Sequence, residues 1–182
     1  MASVLVDKNI DPDEECARCV CYQLMYSENK GKLKDLAFQP KPGERDASLL
    51  RLRYCDMSFC EEHGIGIWGE VGFAGIATIK ASAIDEVNVW ASSPESEKVY
   101  DSGKKEVNGM VAHINYAPMN NGEYVDTSID VFTEKDVSLP MHADLKYRDP
   151  LTADVKTRIR DYARQVLKRA TFHSKEEKKN LQ

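Results

Sequence analysis

The chain has 182 residues, 42% of them hydrophobic and 30% charged, and 30 Asp+Glu against 25 Lys+Arg give a formal charge of −5. This length suits one domain, with a core large enough to need neither disulfides nor metal for stability. The composition argues against a wholly disordered chain, a collagen-like chain and a membrane protein.

The longest Gly-rich apolar run, residues 71–79, is bracketed by Glu70 and Lys80 and falls well short of the ~20 residues a membrane span requires. The N-terminus has no positive stretch and meets Asp7 early, so no signal peptide and a cytoplasmic location are expected. Five cysteines, Cys16, Cys19, Cys21, Cys55 and Cys60, form an odd set. In a reducing compartment they are expected as thiols.

Residues 3–6 read as a short strand. Asp11 then makes a good N-cap, Pro12 fits a first helical position, and Asp13, Glu14 and Glu15 favour a helix N-terminus. With Cys16, Cys19, Val20 and Leu24 spaced by three and four, the pattern predicts a helix ending near Tyr26. Residues 32–38 read as a short element, 40–43 as a loop and 48–54 as a strand. Five of the ten glycines lie between Gly64 and Gly75, which predicts an irregular or bulged segment feeding a strand at 76–83. Residues 88–91 read as another strand, and 92–105 as a polar, mobile connection.

Residues 111–117 and 125–132 both alternate like strands, and Asn121-Gly122 between them is a strong hairpin signal. A two-residue turn there pairs Ile114 with Ile129, Ala112 with Val131 and Tyr116 with Thr127 on an apolar face. It pairs His113 with Asp130, Asn115 with Ser128 and Ala117 with Asp126 on a polar one. Met141, Ala143, Leu145 and Tyr147 alternate with His142, Asp144 and Lys146, predicting a third strand of the same kind. A final helix begins at residues 149–152, with Leu151, Val155, Ile159, Tyr162, Ala163, Val166, Leu167 and Ala170 at helical spacing.

The fold class that follows is α+β: a mainly antiparallel sheet packed against an N-terminal helix and a long C-terminal helix. One domain covers residues 1–172, and residues 173–182 form a charged tail.

Four groups of residues carry chemistry. On the polar sheet face, His113 and His142 with Asp126, Asp130 and Asp144 suit a divalent metal, since neutral imidazole and carboxylate are its usual ligands. There His113, His142 and Asp130 would be the catalytic groups. The plain alternative is a solvated sheet face that alternates by necessity. Cys16-x-x-Cys19 with Cys55, Cys60 and His63 suggests zinc only by loose spacing, and buried thiols serve equally as small core residues. Gly64-Ile65-Gly66-Ile67-Trp68-Gly69 fits G-x-G-x-x-G but lacks the strand before and helix after that a dinucleotide needs. The glycines read better as letting the backbone approach another element closely, with a binding loop built around Trp68 and Phe73 as the alternative. Finally, Lys156, Arg160, Arg164 and Lys168 form a ladder of like charges on the last helix, unfavourable by a few tenths of a kcal/mol per pair. Residues 151–182 carry +5 and residues 1–150 carry −10. Nucleic acid is a candidate partner for the ladder, and the chain's own acidic body is the simpler one.

Two functions of different classes follow. One is a small soluble interaction module, a subunit of a larger assembly that binds a protein partner and needs no cofactor. The alternative is a metal-dependent hydrolase, with phosphodiesters as the candidate substrate class and a metal-bound hydroxide as nucleophile. The separation of His113 and His142 discriminates them.

Overall fold

The computed structural model describes residues 3–42, 44, 46–119, 124–126, 139, 141–148 and 154–175. Its centre is a six-stranded sheet of β1 (Glu15–Cys21), β2 (Asp46–Arg51), β3 (Phe73–Lys80), β4 (Val111–Tyr116), β5 (His142–Arg148) and β6 (Thr171–Ser174). The spatial order is β6-β3-β1-β2-β5-β4, and every neighbouring pair is antiparallel. Three helices cover it: α1 (Met57–Gly72), α2 (Ala81–Ser92) and α3 (Val155–Leu167). The α+β class therefore holds.

Both faces of the sheet are covered. Ala17, Leu50 and Ile76 project from one face against Cys60 and Ile65 of α1. Their neighbours Cys16, Leu49 and Ala77 project from the other, against Ile84 and Val87 of α2 and Tyr162 and Val166 of α3. The one-residue alternation between the two clusters is the pleat of the strands.

This arrangement corrects the N-terminal helix. The Asp11 carboxylate accepts from the Asp13 N–H at 2.8 Å, and Glu14 N–H bonds Asp11 O at 2.9 Å. The capping chemistry thus closes one turn and stops. The chain then enters β1, a strand flanked by β3 and β2, where Cys16 and Val20 are buried in one cluster, Ala17 in the other, and Cys21 joins Cys16 and Val20 past an irregularity in the register. A strand buried on both sides shows no period of two, so its apolar positions imitate helical spacing.

The glycine-rich segment is helical rather than irregular. Asp56 caps α1 by accepting from Phe59 N–H at 2.8 Å. The helix is broken at Gly69, whose φ of 73° and ψ of 163° redirect the chain toward β3. Residues 88–91 belong to α2, not to a strand. Asn88 there uses its side-chain amide to hold both backbone groups of Ala112 in β4, at 2.9 and 3.0 Å. The connection after α2 is ordered: a 3₁₀ turn at Pro94–Ser96, then Lys98–Val99 paired with Lys105–Glu106. Buried Asn108 and Arg158 tie it to α3, with Asn108 Nδ2 on Arg158 O and Arg158 on the Val107 and Asn108 carbonyls.

β4 pairs with β5, so His113 stands opposite Lys146 and Ile114 opposite Leu145. Tyr124–Asp126 pairs with Ser3–Leu5, which sets Asp126 opposite Ser3. The predicted partners Asp130 and Ile129 lie outside the described residues. At the C-terminus, α3 stops at Leu167 and the chain returns as β6 alongside β3. Residues 173 and 174 therefore belong to the sheet rather than to a tail.

Candidate functional site

The His/Asp group divides along the sheet. Alternation on β5 puts His142, Asp144 and Lys146 on the face that α1 shares with Leu50, and the register places His113 beside Lys146. His142 lies four positions further along the strand, which at about 3.3 Å per residue is roughly 13 Å away. The two rings share a face but do not converge.

Nor is His142 on a wet surface. It is only 6% exposed, on the sheet face where Leu139 and Met141 pack with Leu50 and with Cys60 of α1. Its Nδ1 donates to Ala117 O at 2.7 Å. A carbonyl only accepts, so Nδ1 carries a hydrogen, and Nε2 is buried with no hydrogen-bond partner among the described residues, Asp144 Oδ1 standing 3.9 Å away. Burial pushes the Asp144 carboxyl up from its ordinary value, with His142 acting the other way. Burial also pulls His63 of α1 down, and the nearby His142 adds to the effect. Asp126 sits on the separate two-stranded ribbon, and Asp130 lies outside the described residues. Among the described residues no three His, Cys, Asp or Glu side chains gather as a metal ion requires.

The cysteines are core thiols on strands and at the start of α1, not on one helix face. Cys16 is fully buried, and burial pushes its thiol up to about 12. Cys19 is likewise pushed up to about 12 by burial, and donates to Cys60 O at 3.3 Å. Cys55 and Cys60 are in contact, with sulfurs 3.8 Å apart.

The aromatic residues chosen for a binding loop are not presented to solvent as one. Phe73 is 1% exposed at the start of β3, and Trp68 packs between the two core clusters. The neighbours of Trp68 are the exposed ones. Ile67 is 54% and Val71 90% exposed on either side of the Gly69 break. At the same end, Tyr22 N–H bonds Gly72 O at 2.9 Å, and Leu24, 58% exposed, follows two residues on. Gly66 and Gly69 lie bare in the same segment, with no described atom outside their own stretch of chain within 4 Å of where a Cβ would stand. Gly64 differs, since a Cβ there would meet the Phe73 ring at 2.3 Å. The glycine spacing pointed to this segment, but which side chains it exposes is decided by α1 lying on the sheet.

Lys156, Arg160, Arg164 and Lys168 are exposed along α3. Part of the ladder is met by the chain's own acids. Arg164 donates to Asp35 at 3.0 Å and to Asp161 at 3.3 Å, and Arg160 lies 3.9 Å from Asp161. An open cleft lined by Asp11, Asp13, Glu14, Glu15, Leu52 and Arg53 is acidic, but its buried carboxylate, Glu14, is already bound by Arg51.

No described helix is long and apolar enough to cross a membrane. The chain matches no protein-family model, no curated protein and no solved structure.

Proposed function

We propose that the chain is a non-catalytic interaction module that binds a protein partner through the C-terminal end of α1. The observation that carries this is the exposure of Val71, 90%, and Ile67, 54%, on either side of the helix break, in a segment with two bare glycines. A glycine inside a helix costs up to about 1 kcal/mol relative to alanine. Gly64 offsets that cost by admitting the Phe73 ring, whereas no described residue uses the space over Gly66. A partner backbone approaching closely would use it, with Ile67, Val71 and Leu24 supplying the apolar contact that partly buried interface cores need. The hydrolase alternative has less support, since its two histidines stand roughly 13 Å apart by strand spacing and His142 is closed in.

The test compares wild type with Ile67→Asp/Val71→Asp, each isolated from cells that make the protein natively. Both side chains are exposed, so the variant keeps its folded circular dichroism spectrum. The reading expects a stoichiometric protein companion with wild type and its loss with the variant. A companion retained by the variant, or a metal-dependent phosphodiesterase activity in purified wild type, overturns it.

A further inference from the structure

We propose that Cys55 and Cys60 are a modification site, where a low-molecular-weight disulfide oxidises the two thiols to an intramolecular disulfide across the start of α1. The sulfurs already touch at 3.8 Å, and bond formation brings them to about 2.05 Å. Their positions explain the contact. Asp56 is the N-cap of α1, so Cys55 stands one residue before the cap and Cys60 at the fourth helical position. In many helices an apolar pair at these positions packs together and fixes the angle at which the chain enters. Here that pair is two thiols.

The two cysteines are unequal in a way that orders the reaction. Cys60 is fully buried, while Cys55 is partly exposed on the turn before the helix. Cys55 therefore meets the oxidant. Its thiolate attacks one sulfur of the small disulfide, forming a mixed disulfide and releasing one small thiol. Cys60 then attacks the Cys55 sulfur. The bond to the small group breaks, the second small thiol leaves with the Cys60 proton, and the Cys55–Cys60 bond forms. The protein loses two electrons and two protons, and the small disulfide gains them.

The surroundings fit this order. Cys60 is held protonated first of all by its hydrogen bond with Cys55, then by burial, and capping Cys55 removes that first cause. Cys19 competes poorly, because its thiol points to the Cys60 carbonyl rather than the Cys60 sulfur and is held protonated by burial. The Cys55 sulfur rests on Arg51 O at 3.3 Å, on non-helical chain that a side-chain rotation need not disturb. The closed bond converts a packing contact into a covalent one at the root of the helix whose far end carries Ile67 and Val71.

The experiment treats the folded full-length protein with oxidised glutathione, blocks remaining thiols, digests with trypsin and weighs the fragments. Residues 54–80 form one tryptic peptide holding Cys55 and Cys60 and no other cysteine. The expected result is this peptide lighter by two hydrogens, unalkylated, and restored by reductant. Cys60→Ser should instead stop at a glutathionyl group on Cys55. Cys55→Ser, at the partly exposed position, should leave Cys60 unmodified. A glutathionyl group that persists on Cys55 in the wild-type protein overturns the proposal. So does a peptide linked to Cys19, or a 54–80 peptide alkylated at both cysteines.

Discussion

Arg51 and Glu14 form a buried pair that joins the N-terminal segment to the sheet. The guanidinium holds the Glu14 carboxylate through Nε at 2.5 Å and Nη2 at 2.9 Å, with both residues almost wholly enclosed. The same guanidinium donates to the carbonyls of Asp7 and Asn9, the latter at 2.9 Å, and lies 4.9 Å from the Tyr54 ring centroid. Asp7, Asn9, Glu14 and Tyr54 thus meet at one cation. Removing it strands a buried carboxylate and two carbonyls, and breaking a buried pair from one side typically costs about 3–5 kcal/mol. Arg51→Met should lower the unfolding free energy by that order in urea titration. A loss below ~1 kcal/mol would show that the segment at residues 7–14 is held by something else.

Gly64 and Gly66 sit on one helix with opposite surroundings. A methyl group at Gly64 would press on two carbons of the Phe73 ring, at 2.3 and 2.6 Å, and one at Gly66 would meet nothing. Overpacking of that kind costs roughly 1–3 kcal/mol. A helical Gly→Ala change in free space gains about 0.5–1 kcal/mol. Chemical denaturation should therefore show Gly64→Ala less stable and Gly66→Ala more stable than wild type. Equal effects of the same sign would contradict the placement of α1 against β3.

His113 and His142 should separate in the same assay. His142 is buried with Nδ1 bonded to Ala117 O, so His142→Ala leaves a cavity and an unmet carbonyl. The expected loss is about 1–3 kcal/mol. His113→Ala, at a half-buried site, should stay within about 0.5 kcal/mol. Loss of stability from His113 and not from His142 would reverse the assignment.

Alkaline pH should unfold the protein through its thiols. Burial pushes Cys16 and Cys19 up to about 12 from an ordinary value of 9.0. A raised folded value means the thiol stays protonated in the folded state while the unfolded chain ionises. The stabilisation is complete below pH 9 and is lost progressively as pH climbs toward 12. Each such thiol steepens the fall by about 1.4 kcal/mol per pH unit within that window. Cys16→Ala should flatten the slope of unfolding free energy against pH by that amount above pH 9. An unchanged slope would show that Cys16 ionises in the folded protein.

Much of the sheet and the last helix was legible because those elements have two unlike faces. Met141, Ala143, Leu145 and Tyr147 alternate with polar neighbours, and all four are buried in or beside β5. Tyr162, Ala163 and Val166 mark the buried stripe of α3. β1 was illegible for the opposite reason, since burial on both faces removes the alternation. In α2 the run Val87-Asn88-Val89-Trp90 has strand-forming residues, yet Ile84, Val87 and Ala91 bury a helical stripe and Asn88 finds its partners across space in β4. The turn arithmetic at Asn121-Gly122 is local and could not foresee β5 as a neighbour of β4. The candidate site followed the same rule. Glycine spacing marked the end of α1, while the burial of Phe73 and the exposure of Val71 depend on contacts distant in sequence.

Site-resolved crosslinking of the native complex tests the interaction reading most directly. Lys175 bonds Glu70 at 2.6 Å, next to Val71, so an amine-reactive crosslinker anchored there reports on the end of α1. Lys156 and Lys168 report on the basic ladder of α3. The account predicts that partner crosslinks concentrate on Lys175 and disappear in Ile67→Asp/Val71→Asp. Crosslinks confined to Lys156 and Lys168, unchanged in that variant, would contradict it and give the interface to the basic helix.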